Sequence, residues 1–413
     1  MANTFLNPSV IAKEVLAQLA NNTVMGRLVF RGYEEEFKTR VNGWKKGSSV
    51  TIKAPIQSRV KDGQTIDVVD IREEDVTFTV DTWKHIAHKF TGTEMSLNID
   101  AFSERFIKPD IQALGNYIDS DILSLYKGIP NQVGTPGSTP SSWYTIAEAS
   151  AVMADHAVPQ NDRYLVIDQW AQAKLCDQMK GVFINSMAQN AIEKAKLPPM
   201  AGFEMFMSQN INTHTCGTAA GLTTNLVDDT VAEGDVAITI DQNGSWSNTL
   251  TQGDIFTVAS VNGVNPISGT STGRLRQFVV EAAAGTTGNE TEVSCTPGVA
   301  PWNIYSASAT EKTLPYQTVD ALPANNAAVT VAGTASLVHK VNLAFHKNCL
   351  GLVMVPIEPL MGLKSYTETD PDTGFTVTIT LGGDIINYVN YFRADILYGK
   401  KILNPFMGCR VAG

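Results

Sequence analysis

The sequence predicts an α+β protein with an all-β domain inserted into it. Before about residue 212 and after about residue 341, helical and extended patterns alternate along the chain. Between these positions Lys and Arg become scarce, while Gly, Thr, Ser, Asn and Val become frequent. This middle stretch has the pattern of short strands separated by turns. A guest domain can be inserted where its two ends lie close together, so we expect residues 212–341 to form a separate, barrel-like β domain.

The first predicted element is an amphipathic helix in NPSVIAKEVLAQLANN. Asn7 can cap it, Pro8 suits the first helical position, and apolar residues recur at helical spacing. From Gly47 to Asp100 the pattern becomes extended. SSVTIKAP predicts a strand, a charged segment follows, and VTFTVDTWKHIAHKF alternates for longer than the usual ~5–6 residues of a strand. We expect two long strands joined by a charged tip, forming an arm that lies across another subunit.

The longest helical pattern follows in FSERFIKPDIQALGNYIDSDILSLYKGI, and a Gly/Pro/Ser/Thr linker comes after it. Its predicted buried stripe is Ile111, Leu114, Ile118, Ile122 and Leu125. The mixed pattern resumes with a helix in TIAEASAVMADHAV, a strand in DRYLVID and a helix in QWAQAKLCDQMK. Beyond the insert, VNLAFHKNCLGLVMVPIEPL and TGFTVTITLGG predict strands on either side of a DPDTG turn.

Within the insert, four segments carry the alternation expected of strands. They are GDVAITIDQNGSWSN, GDIFTVASVNGVNPISG, RQFVVEA and ETEVSCTP. We expect Asn243 and Gly244 to form a tight hairpin turn, because both residue types tolerate positive φ.

Composition narrows the class of protein. The 413 residues are 43% hydrophobic and 17% charged, which is typical of a globular chain with two or three cores. A net charge of -10 disfavours a nucleic-acid reader. We expect no secretory signal and no membrane span, because no apolar run approaches the ~20 residues that cross a bilayer. The five scattered cysteines are expected to be buried free thiols, in a protein made in a reducing cytoplasm.

Motifs that resemble reactive sites fail on their context. The run Gly269–Gly273 matches G-x-S-x-G but lacks the strand before it and the helix after it, so a surface turn is expected. His85 and His88 are three apart in a predicted strand, so they face opposite sides and cannot share a metal ion. His214 and Cys216 could project together, but no second Cys or His pair lies nearby in the sequence.

The remaining polar clusters also have ordinary explanations. Glu368, Asp370 and Asp372 lack the closing glutamate of a calcium loop, so a hairpin turn is expected. The isolated histidines His156, His339 and His346 are expected to be satisfied polar residues. We therefore expect no catalytic residue, no cofactor and no metal ion, and we favour a structural role.

The order of the parts resembles the major capsid (coat) proteins of tailed phages, which have the HK97-like fold. More narrowly, it resembles the P22 coat type, which carries an insertion domain. The matching stretches are AGFEMFMSQNI, GDIFTVASV, EVSCTPGVA and FRADILYGKKILNPFMG. In the last of these, Arg393, Tyr398, Gly399 and Pro405 fall where the family has a similar Arg…Tyr-Gly…Pro run. The resemblance extends over essentially the whole chain.

The resemblance implies a division into five parts. They are an N-terminal arm (1–46), an extended β loop (47–95), a peripheral domain with the spine helix and closing strands (96–140 and 364–413), an axial domain (141–211 and 342–363) and the inserted domain (212–341).

The resemblance also implies the partners. Pentamers and hexamers of this chain would form an icosahedral shell around a scaffolding protein, with a portal at one vertex. The shell would expand on maturation and enclose double-stranded DNA without reading its sequence, as a part of the virion.

Large apolar side chains in the arm are unfavourable in water, so we expect a neighbouring subunit to cover them. The candidate intersubunit contacts are Arg72, Glu73, Glu74, Trp83, Ile86 and Phe90.

Two alternatives to this function remain open at this stage. One is the shell of a cellular nanocompartment with the same fold, which would load cargo instead of DNA. The other is a carbohydrate-active enzyme with an appended β module, because the spacing of paired carboxylates is three-dimensional and cannot be read from sequence.

Overall fold

The computed structural model describes most of the chain. The described residues are 8–33, 40–41, 44–45, 49–53, 60, 64, 75–91, 108–178, 197–241, 248–282, 290–294, 303–309, 314–358, 360, 362–370, 374–384 and 386–413. Their α-helices are α1 (Pro8–Asn22), α2 (Met25–Leu28), α3 (Lys108–Leu123), α4 (Trp143–Asp155) and α5 (Gln169–Gln178).

The strands fall into three groups along the chain. Those before the insert are β1 (Arg40–Val41), β2 (Trp44–Lys45), β3 (Ser49–Lys53), β4 (Asp75–Thr79), β5 (Thr82–Thr91), β6 (Gln132–Val133), β7 (Arg163–Ile167) and β8 (Glu204–Met207). Those of the insert are β9 (Thr213–Thr215), β10 (Leu226–Val227), β11 (Ala237–Asp241), β12 (Ile255–Val264), β13 (Ser271–Val279), β14 (Glu290–Ser294), β15 (Val329–Val331) and β16 (Val338–Lys340). Those after it are β17 (Asn342–His346), β18 (Leu350–Met354), β19 (Lys364–Thr369), β20 (Thr376–Asp384), β21 (Val389–Ile402) and β22 (Gly408–Val411).

The first of two compact units comprises Met1–Thr51, Thr77–Ile122 and Leu350–Lys401. Its sheet has the order β18-β21-β20-β19, and β5 also pairs with β21. Helix α1 packs on β19 and β20 through its buried apolar residues, which include Val15, Leu16 and Leu19. The predicted N-terminal helix is confirmed, because apolar spacing of this kind buries one face of a helix.

The long helix α3 also belongs to this unit and confirms the predicted stripe. Ile111, Leu114, Ile118 and Ile122 are buried. Leu125 is only half-buried, because the helix has already given way to a 3₁₀ turn over Ser124–Gly128. The change of helix type rotates this last position away from the stripe.

The second unit comprises Ile52–Val76, Leu123–Cys349 and Ile402–Gly413. Its five-stranded sheet has the order β6-β22-β17-β7-β8, in which β17 runs antiparallel to the other four strands. Helices α4 and α5 connect parallel strands in the same direction across the sheet. Crossovers between parallel strands are right-handed in nearly all proteins, so both helices are expected on one face. Their apolar residues share one buried core with β7 and β22.

The insert lies in this second unit but has a core of its own. The buried apolar residues of this core all lie between Cys216 and Val331, and they include Phe256, Val258 and Phe278. None of them belongs to the five-stranded sheet. Two three-stranded sheets, β10-β11-β14 and β13-β12-β15, surround it. The four strand segments predicted in the insert correspond to β11, β12, β13 and β14. The Asn243-Gly244 turn lies outside the described residues.

Two strands pair with strands outside the segments that the predicted division assigned to them. β18 lies within the predicted axial segment 342–363 but pairs in the sheet of the first unit. β22 lies within the predicted peripheral segment 364–413 but pairs with β17 and β6 in the second unit. The pairing partner of a strand is chosen by tertiary packing, so closeness in sequence is a poor guide to it.

The predicted arm is also corrected. The run VTFTVDTWKHIAHKF is not one strand, because it breaks at Val80–Asp81 into β4, which pairs with β3, and β5. β5 pairs with β21 of its own chain along its whole length, from Thr82 opposite Tyr398 to Thr91 opposite Val389. Ten residues that were expected to lie across a neighbour therefore belong to the subunit's own sheet.

Candidate assembly surface and buried polar cluster

Strand β5 is the best-defined part of the predicted contact segment. It pairs with β21 along its whole length, and its outer face carries Trp83, which is 50% exposed. Exposed large apolar side chains of this kind are typical of interaction surfaces. This outer face is a candidate surface for contact with another subunit.

The two faces of β5 have different surroundings. His88 Nε2 lies 2.7 Å from a carboxylate oxygen of Asp110 in α3, and Lys84 Nζ lies 4.9 Å from the ring centroid of Tyr117. The even-numbered side chains therefore face the helix. The odd-numbered side chains, including His85, are exposed. This confirms that His85 and His88 lie on opposite faces.

The six candidate contact residues do not form one site. Trp83 is 50% exposed on the outer face of β5, whereas Ile86 and Phe90 are half-buried on the face toward α3. Arg72, Glu73 and Glu74 lie outside the described residues. Of the described three, only Trp83 presents a large apolar surface to solvent.

The sequence did not predict the polar partners that hold β21. Trp83 Nε1 donates to Asp395 Oδ1 at 2.7 Å, and Arg393 donates to the same oxygen from Nε at 2.9 Å. Farther along, Tyr398 Oη donates to Asp121 in α3 at 2.8 Å. Burial and this hydrogen bond both raise the pKa of Tyr398, so the phenol stays protonated. The Tyr398–Asp121 and Trp83–Asp395 pairs are 277 and 312 positions apart in sequence, so no local motif signals them.

Each unit also exposes large apolar side chains. In the first unit, the turn between β20 and β21 carries Ile386 and Tyr388, which are 93% and 78% exposed. In the second unit, Trp143, Tyr144 and Trp170 are exposed where α4 and α5 begin. Both helices begin at the edge where the parallel strands end, so these aromatic residues lie at one end of the sheet. Exposed apolar groups of this kind are typical of interaction surfaces.

A buried polar cluster lies where the insert joins its host domain. The chain enters the insert through β9 and leaves it through β16, and these two strands pair with His214 opposite His339. We call this pair of strands the neck. The sequence shows no second Cys or His pair close to His214, but the fold brings His339 opposite it, because the ends of an inserted domain must meet. That rule was the available signal for pairing His339 with His214.

His214 connects the host to the insert. Its Nε2 lies 2.9 Å from Asp254 Oδ1, and its Nδ1 lies 3.1 Å from Tyr126 Oη. An ionised carboxylate only accepts hydrogen bonds, so Nε2–H donates to Asp254 and, in the neutral ring, Nδ1 accepts the hydroxyl of Tyr126. The other oxygen of Asp254 accepts the amides of Gly217 at 3.0 Å and Thr251 at 2.7 Å.

Arg410 of β22 supplies a positive charge to this cluster. It is 2% exposed, and its guanidinium lies 5.2 Å from the ring centroid of Tyr126. Its Nη1 donates to the carbonyl of Gly253 at 2.5 Å, while its Nε and Nη2 have no hydrogen-bond partner within the described part of the chain. Burial lowers the pKa of Arg410 to about 10, so it remains charged at neutral pH. Arg410 therefore places a buried positive charge within this cluster.

The donor atoms of the cluster could also hold a metal ion. Ligand atoms of His214, Cys216 and Asp254 all lie within 4.8 Å of one another, and Cys216 Sγ lies 3.9 Å from His339 Nδ1. Imidazole, thiolate and carboxylate are the ligands of zinc. Burial raises the pKa of Cys216 to about 11 and lowers that of His339 to about 4. The thiol is therefore protonated and the ring neutral unless a cation displaces the thiol proton.

The other sequence motifs are ordinary turns. The G-x-S-x-G run spans the end of the loop after β12 and the start of β13, so a strand and not a helix follows it, and the predicted turn is confirmed. The acidic run joins β19 to β20 as a hairpin, with Asp370 N donating to Phe375 O at 2.8 Å. Pro371–Thr373, which include Asp372, lie outside the described residues. The described cysteines, Cys176, Cys216, Cys349 and Cys409, are free thiols, and all but Cys176 are buried.

Comparison with known proteins identifies the family. Residues 1–413 match the model of the family described as P22 coat protein, gene protein 5. The chain belongs to the P22 coat protein family. It is 23% identical over 388 residues to a major capsid protein of Acyrthosiphon pisum secondary endosymbiont phage 1, with 89% of each chain covered.

Solved phage structures are similar at low sequence identity. A chain of Mycobacterium phage Che8 is 14% identical, with a TM-score of 0.46, covering 94% of this chain and 90% of the other. A chain from the capsid of the cyanophage P-SCSP1u is 11% identical, with a TM-score of 0.45, covering 94% and 87%.

Membership in the P22 coat protein family confirms the central prediction. The protein is a phage major capsid protein, a shell-forming component of the virion. The predicted HK97-like capsid fold agrees with this family, and the helices and sheets confirm its α+β class. No helix in the described part of this coat protein is long and apolar enough to cross a bilayer.

Proposed function

We propose that this coat protein is a purely structural subunit whose pentamers and hexamers close an icosahedral shell around double-stranded DNA. The match of the whole chain to one coat-protein family carries this proposal. The net charge of -10 supports it, because a negative wall contains DNA without binding it tightly. The subunit has no catalytic role and needs no cofactor.

The exposed apolar side chains support the assembly part of the proposal. A single globule of this size offers limited area for stable contacts, and specific interfaces bury roughly 1,200–2,000 Å². Trp83 on the outer face of β5, Ile386, Tyr388 and the aromatic residues of α4 and α5 all offer apolar area. Several separate contacts suit a subunit that has different neighbours on different sides.

The proposal extends to the course of assembly. The subunit is made in the host cytoplasm, assembles on a scaffolding protein into a precursor shell with a portal at one vertex, and the shell expands when DNA enters. The free thiols Cys216, Cys349 and Cys409 support folding in a reducing compartment.

Expression of the full chain with and without a scaffolding protein encoded beside it tests the proposal. Electron microscopy and light scattering should show closed shells of uniform diameter with the scaffold, and fewer or irregular particles without it. A second test exchanges the exposed Ile386 and Tyr388 for Ser. This variant should reduce the yield of shells and leave the monomer folded. A monodisperse monomer under every condition would contradict the proposal, as would hydrolysis of carbohydrate by that monomer.

A further inference from the structure

The neck alone is a weak connection between insert and host. Its strands β9 and β16 have three residues each, and they form a two-stranded sheet. An isolated pair of strands is marginally stable in water. Additional contacts must therefore determine the direction in which the insert leaves the host.

The buried cluster supplies those contacts from both sides. Tyr126 and Arg410 belong to the host, Gly253 and Asp254 belong to the insert, and His214 lies in the neck between them. Tyr126 Oη lies 3.1 Å from His214 Nδ1, and His214 Nε2 lies 2.9 Å from Asp254. Arg410 closes the set by donating to Gly253 O at 2.5 Å. The three hydrogen bonds thus join host to neck, neck to insert and host to insert.

A second contact lies beside the first and limits rotation about it. The side chain of Gln277 in β13 accepts the amide of Gln132 at 2.6 Å and donates to the carbonyl of Gln132 at 2.9 Å. Asn265 Nδ2 donates to Asp155 O at 2.9 Å. These bonds reach the host backbone, so they constrain position but carry no full charge.

We propose that Tyr126, His214, Asp254 and Arg410 form a buried latch that sets the direction of the insert, and that this direction determines the geometry of the shell. The second half of the proposal rests on the shell-forming role. Subunits whose inserts point differently would present different surfaces to their neighbours, and shells of mixed diameter would follow.

Asp254 is the residue on which the latch depends. It is 2% exposed, accepts the hydrogen bond of His214 Nε2 and acts electrostatically on the buried guanidinium of Arg410. Removing its charge would leave the buried positive charge of Arg410 less compensated, which weakens the cluster. Asp254 also accepts the amides of Gly217, two residues after the neck strand β9, and of Thr251 in the insert, so its loss loosens both segments.

The test compares Asp254→Asn and Tyr126→Phe with a matched control in the full-length coat protein. Asp320→Asn is the control, because Asp320 accepts hydrogen bonds from Asn262 and Ser271 within the insert and takes no part in the latch. Hydrogen exchange of the monomer at residues 213–217 and 337–341 reports on the neck. Electron microscopy of co-expressed shells reports on their diameter.

In Asp254→Asn, the amide hydrogen-exchange rates in the neck should rise at least tenfold. The shells should no longer have one uniform diameter. Tyr126→Phe should change both readouts in the same direction, by about threefold for exchange, and it decides the matter if Asp254→Asn fails to fold. The control should match wild type in both. Uniform wild-type diameters in variants with a loosened neck would overturn the assembly half of the proposal, and unchanged exchange in both variants would overturn the latch.

A metal ion in the cluster is the competing explanation. One zinc ion per chain in the purified wild-type protein, lost in Cys216→Ser but retained in Cys176→Ser, would overturn the latch in favour of a metal site. Failure of the wild-type chain to form any shell would instead contradict the proposed function, while the exchange measurement on the monomer would still decide the latch.

Discussion

Asp119 Oδ1 accepts the backbone amide of Met25 at 3.0 Å, although the two residues are 94 positions apart. Asp119 Oδ2 accepts the amide of Val24 at 2.8 Å, so one carboxylate from α3 caps the first turn of α2. The side chain is buried, and burial raises the pKa of Asp119 to about 6 despite these hydrogen bonds. The contact therefore depends on pH within the first unit.

We expect the contribution of Asp119 to stability to be present at acidic pH and lost as pH rises. The folded pKa of about 6 exceeds the ordinary value of 3.8, so folding favours the protonated form. The contribution is complete below pH 3.8 and disappears as pH rises through about 6, with a total of ~3 kcal/mol. Urea unfolding of wild type and Asp119→Asn from pH 4 to 7.5 measures it. A free-energy difference between the two that does not change with pH would contradict it.

His156 should have the opposite dependence on pH. Its Nε2 lies 3.1 Å from Asn131 Oδ1 and its ring stacks on Phe406. Burial, with the nearby charge of Arg276, lowers the pKa of His156 to about 3. Its contribution is present above pH 6.5 and lost as pH falls through about 3. Between pH 7 and 4, wild type should lose up to ~3 kcal/mol of unfolding free energy relative to His156→Gln. Equal losses in both proteins would show that the ring does not resist protonation.

Trp83 should stabilise the monomer through its indole N–H. Asp395 is 5% exposed, and hydrogen bonds to charged groups contribute roughly 1.5–3 kcal/mol. Trp83→Phe keeps an aromatic ring but removes the donor, so the free energy of unfolding should fall by about that amount. Trp170→Phe, at an exposed tryptophan, serves as the control and should change stability by less than ~0.5 kcal/mol. Equal effects of the two substitutions would mean that the bond to Asp395 contributes nothing.

The charged tip of the arm should act in assembly and not in folding. If these residues form the tip that the sequence predicts, exchanging Arg72, Glu73 and Glu74 for Ser together should leave monomer melting nearly unchanged, within about 0.5 kcal/mol. The yield of shells should fall, because contacts to a neighbour would be lost. Thermal unfolding of the monomer beside particle counts checks both. A less stable monomer with normal assembly would place the tip in its own subunit's core.

The insert should fold by itself. Its apolar core contains only insert residues, and the neck strands bring its ends together. Residues 212–341 expressed alone should therefore give a cooperative thermal transition and dispersed amide resonances. Replacing the central Phe256, which is fully buried, by Ala should lower its stability by about 3–5 kcal/mol. A disordered spectrum of the unmodified segment would show that the insert depends on its host.

Local patterns in the sequence predicted the elements that depend on local physics. The helical spacing of Val15, Leu16 and Leu19 predicted α1, and the alternation in GDIFTVASVNGV predicted β12. The change of composition near residue 212 predicted the insert. These features can be predicted because a half-buried helix or strand requires apolar residues at its own characteristic spacing.

By itself, the sequence determined the order of the elements, the presence of an inserted β domain and the resemblance to coat proteins. The tertiary structure decided which strands pair, so it placed β5 beside β21 and β22 beside β17. It alone brought His214, Asp254 and Arg410 together from three distant segments. Strand pairing and the partners of buried charged residues depend on packing between segments far apart in sequence. The local spacing of residues does not indicate which of these segments will meet.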